Sequence, residues 1–227
     1  MDADSIVFIG DVRIKSVPVI ESGEEMMDLQ KEAAFLACDH SEENKEGKSP
    51  LLFMARKGLV QRLEAAQVLL PEGIKFLIKE CYRPLAIQEE SFNWYINELK
   101  KRRPDWGQDK LYEECSKLVA PVDVAPHSTG GAVDLTLINS EGSPLDMGTF
   151  YDAEPLQTDY ATYTNAQNIP AQAKRNRRFL SEAMTKLGFV NYPTEWWHWS
   201  YGDKYWAFMT KASHAHYSPQ DLPTISS

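Results

Sequence analysis

Residues 126–138 read Pro126-His127-Ser128-Thr129-Gly130-Gly131-Ala132-Val133-Asp134-Leu135-Thr136-Leu137-Ile138. Gly130-Gly131 marks a turn, and the run from Ala132 to Ile138 alternates with period two. Val133, Leu135 and Leu137 fall on one face of the predicted strand, Asp134 and Thr136 on the other. A histidine thus precedes a tight turn that feeds a strand carrying a carboxylate. Zinc takes imidazole nitrogen and carboxylate oxygen at roughly 2.0–2.2 Å, so its ligands must be brought close by the backbone. The turn does that. The plainer reading makes His127 a loop residue and Asp134 a solvated strand residue.

The flanking sequence supplies the rest of the fold. Leu59, Val60, Leu63, Ala66 and Leu70 recur at helical spacing, predicting a helix over about 53–70 that Pro71 ends. Ile74 to Cys81 alternates as a strand and runs into Tyr82-Arg83-Pro84. Pro84 can open a helix, whose apolar side carries Leu85, Phe92, Ile96 and Leu99 and which stops before Pro104. Residues 140–170 are rich in turn formers and acids and read as irregular. A helix from about Ala171 to Leu187 follows, with Gly188 where a C-terminal cap belongs. Aromatic runs on both sides of Tyr201-Gly202-Asp203-Lys204 predict a β-hairpin. Asp39 to Ser49 reads as an exposed polar loop, and the tail after Met209 as loosely attached. Helices before and after short strands, without regular βαβ alternation, predict an α+β fold. We expect one domain over 1–227, with its core at about 17–208 and a tail at 209–227.

Bulk properties narrow the function. A chain of 227 residues, 43% hydrophobic, suits one generous domain or two very small ones. The net charge of −9 argues against a general nucleic-acid binder, which needs basic surface to neutralise phosphate. Cys38, Cys81 and Cys115 are odd in number and form no Cys-x-x-Cys pair, so zinc-finger, thioredoxin-like and disulfide-framework readings fail. No stretch approaches the roughly 20 apolar residues of a membrane helix. The acidic start Met1-Asp2-Ala3-Asp4 lacks the pattern of a secretory signal. The expected location is cytoplasmic, or periplasmic if a leader has been removed. No Gly-rich phosphate loop, Gly-x-Ser-x-Gly elbow or His-Glu-x-x-His helix is present.

A second cluster, Glu195-Trp196-Trp197-His198-Trp199, places one carboxylate and one imidazole three residues apart in an apolar setting. Burying that carboxylate is costly unless a metal or partner compensates, and desolvation would raise its pKa toward the range of a general base. In an ideal strand, positions three apart face opposite ways, so Glu195 needs a bend; Pro193 and Thr194 make one plausible. The alternative is an aromatic core with a surface glutamate. His127, Asp134 and His198 would form a three-ligand site with a fourth position open for water, the pattern of catalytic zinc. Arg83, ending a strand beside Pro84, could hold an oxyanion; on its own it would read as a surface ion pair. His214, His216 and His40 lie in polar segments and are weaker ligand candidates.

Taken together and in order, Tyr82-Arg83-Pro84, His127-Ser-Thr-Gly-Gly-Ala-Val-Asp134 and Glu195-Trp-Trp-His198-Trp resemble the zinc D-alanyl-D-alanine dipeptidases of the vancomycin-resistance type. The resemblance runs from about Val17 to Phe208. It implies an α+β domain whose central, mainly antiparallel sheet is flanked by helices and carries the metal. It also implies one Zn2+ per chain on His127, Asp134 and His198, with Glu195 as general base and then acid. Arg83 would stabilise the scissile carbonyl. Met147-Gly-Thr-Phe-Tyr-Asp152 resembles the segment whose aspartate binds the substrate's amino group, which makes Asp152 the reader of the N-terminus. Trp196 is expected to wall the small side-chain pocket. The implied reaction is hydrolysis of the D-alanyl-D-alanine dipeptide to two D-alanines through a metal-activated water. The alternative is a D,D-carboxypeptidase or other cell-wall peptidase acting on longer stem peptides. One departure is Ala125, where the family commonly has serine.

Overall fold

A computed structural model describes residues 6–33, 35–45 and 48–222. The elements are α1 (Val12–Lys15), β1 (Met26–Asp28), α2 (Leu29–Glu32), β2 (Ala37–Cys38), α3 (Glu42–Lys45), β3 (Met54–Arg56), α4 (Lys57–Gln67) and β4 (Lys75–Glu80). They continue with α5 (Leu85–Arg102), α6 (Gln108–Cys115), β5 (Ala132–Ile138), α7 (Ala171–Lys186), β6 (Val190–Asn191), β7 (His198–Ser200) and α8 (Lys204–Thr210). Five strands form the central sheet in the order β2-β4-β5-β7-β6, and β1-β3 form a separate pair. Only β2 and β4 run parallel within the central sheet; the other neighbours are antiparallel. The fold is α+β. Among the described residues no helix is long and apolar enough to cross a membrane.

The alternation in β5 explains which side the helices cover. Val133, Leu135 and Leu137 are fully buried in one cluster with Leu59, Val60 and Leu63 of α4 and Leu180, Ala183 and Met184 of α7. Burying a side chain of this size is worth roughly 1.5–3 kcal/mol, so this layer fixes β5 in register. The opposite face is also covered, and every residue of β5 is buried. That register sets the polar residues abreast: Asp134 pairs with Glu80 of β4 on one side and with His198 of β7 on the other.

Several expectations need correction. The predicted hairpin after Ser200 is the helix α8: Asp203 caps it by accepting from Trp206 N–H at 2.8 Å, and Tyr205 and Ala207 turn inward. The helix predicted over 53–70 begins only at Lys57, because Met54–Arg56 pairs with β1. The polar stretch 39–49 is not simply exposed. Asn44 is buried and donates to the carbonyls of Asp39 and Lys79, while residues 46 and 47 lie outside the described set. The tail is packed as far as residue 222: Ala215 bridges Val19, Tyr217 is buried, and Gln220 N–H donates to the Ser128 carbonyl. Ile9 and Ile14 are buried as well, so packing also extends before residue 17. The expectation for Met1 to Asp4 lies outside the described residues.

Residues 140–170 hold no helix or strand, as expected, yet they must present Tyr151 and Asp152 in fixed positions. Arg177 of α7 supplies the anchor. It is 2% exposed, and its Nε, Nη1 and Nη2 donate to the carbonyls of Met147, Tyr163 and Ala161 at 2.7, 2.7 and 2.9 Å. Burial lowers its pKa to about 10. Replacing Arg177 by leucine leaves three carbonyls without their partner, at about 1–3 kcal/mol for each that stays buried. We expect Arg177→Leu to lower unfolding free energy by about 3 kcal/mol or more in urea titrations; a loss under about 1 kcal/mol would show that the anchor is dispensable.

Candidate metal centre and active site

His127 opens a single 3-10 turn, His127–Thr129, that Gly130 closes at φ 69°. A left-handed residue here favours glycine, since a Cβ would crowd the backbone. His127 Nδ1 lies 2.9 Å from the Cys81 carbonyl. A carbonyl only accepts, so Nδ1 carries the hydrogen and Nε2 of the neutral ring presents a lone pair. That Nε2 is 3.1 Å from His198 Nδ1 and 3.3 Å from Asp134 Oδ1, and His198 Nδ1 is 2.9 Å from the same oxygen. His198 Nε2 faces the Ser200 hydroxyl at 3.3 Å. All three side chains are buried.

This triangle is the arrangement a cation needs. Donors around a tetrahedral ion with bonds of about 2.0–2.2 Å stand about 3.3–3.6 Å apart; the edges here, 2.9, 3.1 and 3.3 Å, lie at or a few tenths of an ångström below that spacing, so a bound ion needs them to part only slightly. Two imidazole nitrogens and a carboxylate oxygen, buried and aimed at one point, are a zinc-type donor set. Burial disfavours charge on Asp134, but His127 and His198 outweigh it and hold its carboxyl well below the usual range. Burial likewise opposes a charge on His127, and Asp134 more than offsets it, so its pKa lies above the ordinary value. His127, Asp134 and His198 are the one group of this kind among the described residues.

Glu195 reaches the same corner because the chain is not a strand there. It sits in a turn ahead of β7, with His198 N–H donating to its carbonyl at 3.2 Å and Asn191 Nδ2 at 3.0 Å. The bend foreseen near Pro193 and Thr194 exists. Glu195 Oε2 stands 3.9 Å from His198 Nδ1. Burial, then the charges of Asp134 and Asp152, push its carboxyl well above the ordinary range, with Arg83 opposing.

Arg83 follows β4 and is not a surface ion pair. Its Nε and Nη2 grip both oxygens of the buried Glu80 at 2.7 and 2.9 Å, and Nη1 donates to Gln88 Oε1 at 3.1 Å. Five N–H groups minus these three leave two for a ligand. A cavity of about 630 Å3 is lined by Arg83, Asp152 and Glu195 together with the three candidate ligands. Asp152 is open to that cavity and holds a left-handed φ of 62°, a conformation aspartate tolerates better than most residues. Its place in the enclosing wall raises its carboxyl to about 6, against the pull of Lys48 and Arg83.

Trp196 is placed elsewhere than expected. It is 2% exposed, its Nε1 donates to Thr149 Oγ1 at 2.8 Å, and Arg177 lies over its ring. Its neighbour Trp197 lines the cavity. A turn rather than a strand at this point decides which indole faces inward. Ala125 is buried, and the three cysteines are free thiols, two of them buried.

Other residues escaped the sequence reading. Glu80 holds Arg83, and Lys48 Nζ approaches Glu80 Oε2 at 3.1 Å and the Tyr151 hydroxyl at 2.9 Å. Tyr151 in turn donates to Asp134 Oδ2 at 3.4 Å, steadying the oxygen that does not face the histidines. Glu80 had a partial signal, a charge closing an otherwise alternating strand; a shift of register between Ile78 and Glu80 then takes it off the face of Phe76 and Ile78 and sets it beside Asp134.

Comparison with known proteins finds relatives that share one description. A D-alanyl-D-alanine dipeptidase of Synechocystis sp. is 31% identical over 191 residues, covering 74% of this chain and 76% of the relative. One from Escherichia coli is 39% identical over 99 residues, covering 42% and 49%. One from Enterococcus faecium is 29% identical over 146 residues, covering 63% and 69%. The family match spans residues 24–218 and so includes every residue of the candidate site. This chain belongs to the D-ala-D-ala dipeptidase family of peptidases.

Proposed function

We propose that this chain is a zinc dipeptidase that hydrolyses D-alanyl-D-alanine to two D-alanines. The observation that carries the reading is the buried triangle of His127, Asp134 and His198, with a protonatable Glu195 carboxyl 3.9 Å from it. One zinc per chain would be held by these three side chains. Bound there, zinc polarises a carbonyl and makes water acidic near pH ~7.

The chain's own residues do the rest. Glu195 takes the proton of the attacking water and returns it to the nitrogen of the leaving D-alanine, so its raised carboxyl suits both directions. The two unused N–H groups of Arg83 stabilise negative charge on the scissile carbonyl oxygen. Glu80 and Gln88 fix the guanidinium so that it need not reorganise. Asp152 pairs with the free ammonium group of the dipeptide, and Trp197 rather than Trp196 supplies an aromatic wall.

Dialysis against a chelator should reduce D-alanine release to background, and one equivalent of zinc should restore it. Retained activity in protein shown by elemental analysis to contain no metal would end the reading. A pentapeptide ending in D-Ala-D-Ala should be cleaved at least ~100-fold more slowly than the dipeptide, because the nitrogen of its penultimate D-alanine is a neutral amide rather than the ammonium group that Asp152 would pair with. Faster turnover of the pentapeptide would assign the site to carboxypeptidase chemistry.

A further inference from the structure

The cavity is larger than the dipeptide proposed for it. D-alanyl-D-alanine has about eleven non-hydrogen atoms; even at the roughly 30 Å3 that a water molecule takes up in the liquid, they fill at most about 330 Å3. The cavity measures about 630 Å3. Close to half of it lies beyond the substrate.

Much of that remainder is apolar. Ile87 and Trp94 of α5 line it with Leu118, Val119 and Ala120 from the segment after α6. Leu118 and Val119 pack on the Tyr95 cluster, and Ala120 packs with Ile9 and Tyr192. The Tyr192 ring stands edge-on to His198 at 6.2 Å, so the apolar wall is continuous with the metal corner. Gln88, Glu90 and Ser91 of α5 and Glu154 are the polar residues in this part of the lining; Gln88 is already spent on the Ala120 carbonyl and Glu154 on Arg102. Trp94, 63% exposed, stands at the rim.

We propose that this apolar annex receives a large hydrophobic side chain, so that the enzyme accepts D,D-dipeptides in which one residue is D-alanine and the other is aromatic or long aliphatic. The proposal rests on the dipeptidase reading and names a wider substrate class for the same site. Moving a phenyl group from water into such a wall strengthens binding about tenfold or more over a methyl group.

Two measurements on zinc-loaded protein test it. The first is calorimetric binding of D-Ala-D-Ala, D-Ala-D-Phe and D-Phe-D-Ala to a Glu195→Gln variant, in which hydrolysis is slowed by about 10²–10⁴. At least one phenyl dipeptide should bind tenfold more tightly than D-Ala-D-Ala; weaker binding of both overturns the annex. The second is kcat/KM of the unaltered enzyme on the same three peptides, with Val119→Trp to fill the annex. The ratio of kcat/KM for the preferred phenyl dipeptide to that for D-Ala-D-Ala should fall at least tenfold in the variant, and an unchanged ratio counts against the annex. Tight phenyl binding with no turnover of any dipeptide would sink the dipeptidase reading and leave the annex standing. Turnover of D-Ala-D-Ala alone would do the reverse.

Discussion

Replacing Glu195 by glutamine is expected to lower kcat on D-alanyl-D-alanine by a factor of about 10²–10⁴, the usual worth of a positioned general base, while leaving one zinc bound. Glutamine keeps the shape of the side chain, and the turn is held by backbone groups and Asn191, so the fold around β7 should not change. What disappears is a group that can take a proton and give it back. The same substitution carries a stability signature with a definite sign. Burial and the neighbouring Asp134 and Asp152 raise the Glu195 carboxyl. An acid whose folded pKa is raised favours folding when protonated, and that contribution is lost as pH climbs from the ordinary value through the raised one. At neutral pH, above the ordinary carboxyl range, the metal-free fold has therefore already lost part of that contribution. Metal-free Glu195→Gln should melt at a higher temperature than the metal-free parent at pH 7, although it is far slower once zinc is restored. Activity within tenfold of the parent would remove Glu195 from the mechanism.

How far the molecule could be read from its sequence depended on the range of the interactions. The periods of α4, α5, β5 and α7 are local properties, and each element stands within a few residues of its expected place. The ligand histidines and aspartate were legible because a turn and a strand put two of them close and chemistry named the third. The α8 segment misled because Tyr205, Trp206 and Phe208 are favoured in strands, whereas Asp203 supplies a helix cap that composition alone undervalues. Lys48 and Tyr151 meet across 103 residues of sequence, and Tyr192 N–H bonds to the His198 carbonyl inside a turn. Nothing near any of these residues announces the contact. The exchange of Trp196 for Trp197 has the same origin, since strand alternation says nothing about side-chain direction in a turn.

Arg83→Lys is expected to lower kcat about 10²–10³-fold, the cost of losing a preorganised donor to the developing oxyanion. Lysine keeps the charge but not the fork, which here has three N–H groups on Glu80 and Gln88 and two left over at the wall of the cavity. The variant should also change how stability depends on pH. Burial alone would raise the Glu80 carboxyl, but Arg83 and Lys48 overcome it and hold it at about 2, against an ordinary 4.5. A lowered carboxyl stabilises the fold above the ordinary value, by about 3 kcal/mol for a shift of this size, and loses that contribution as pH falls from about 5 toward 2. In Arg83→Lys only Lys48 retains its place beside Glu80, so the carboxyl rises and less is left to lose. Urea titrations should therefore show the largest gap between parent and variant above pH ~5, closing as the pH approaches ~3. A gap that stays constant over that range would mean the ion pair is not what holds Arg83 in place. Unchanged kcat alongside the expected loss of stability would confine Arg83 to a structural role and leave the scissile carbonyl to the metal alone.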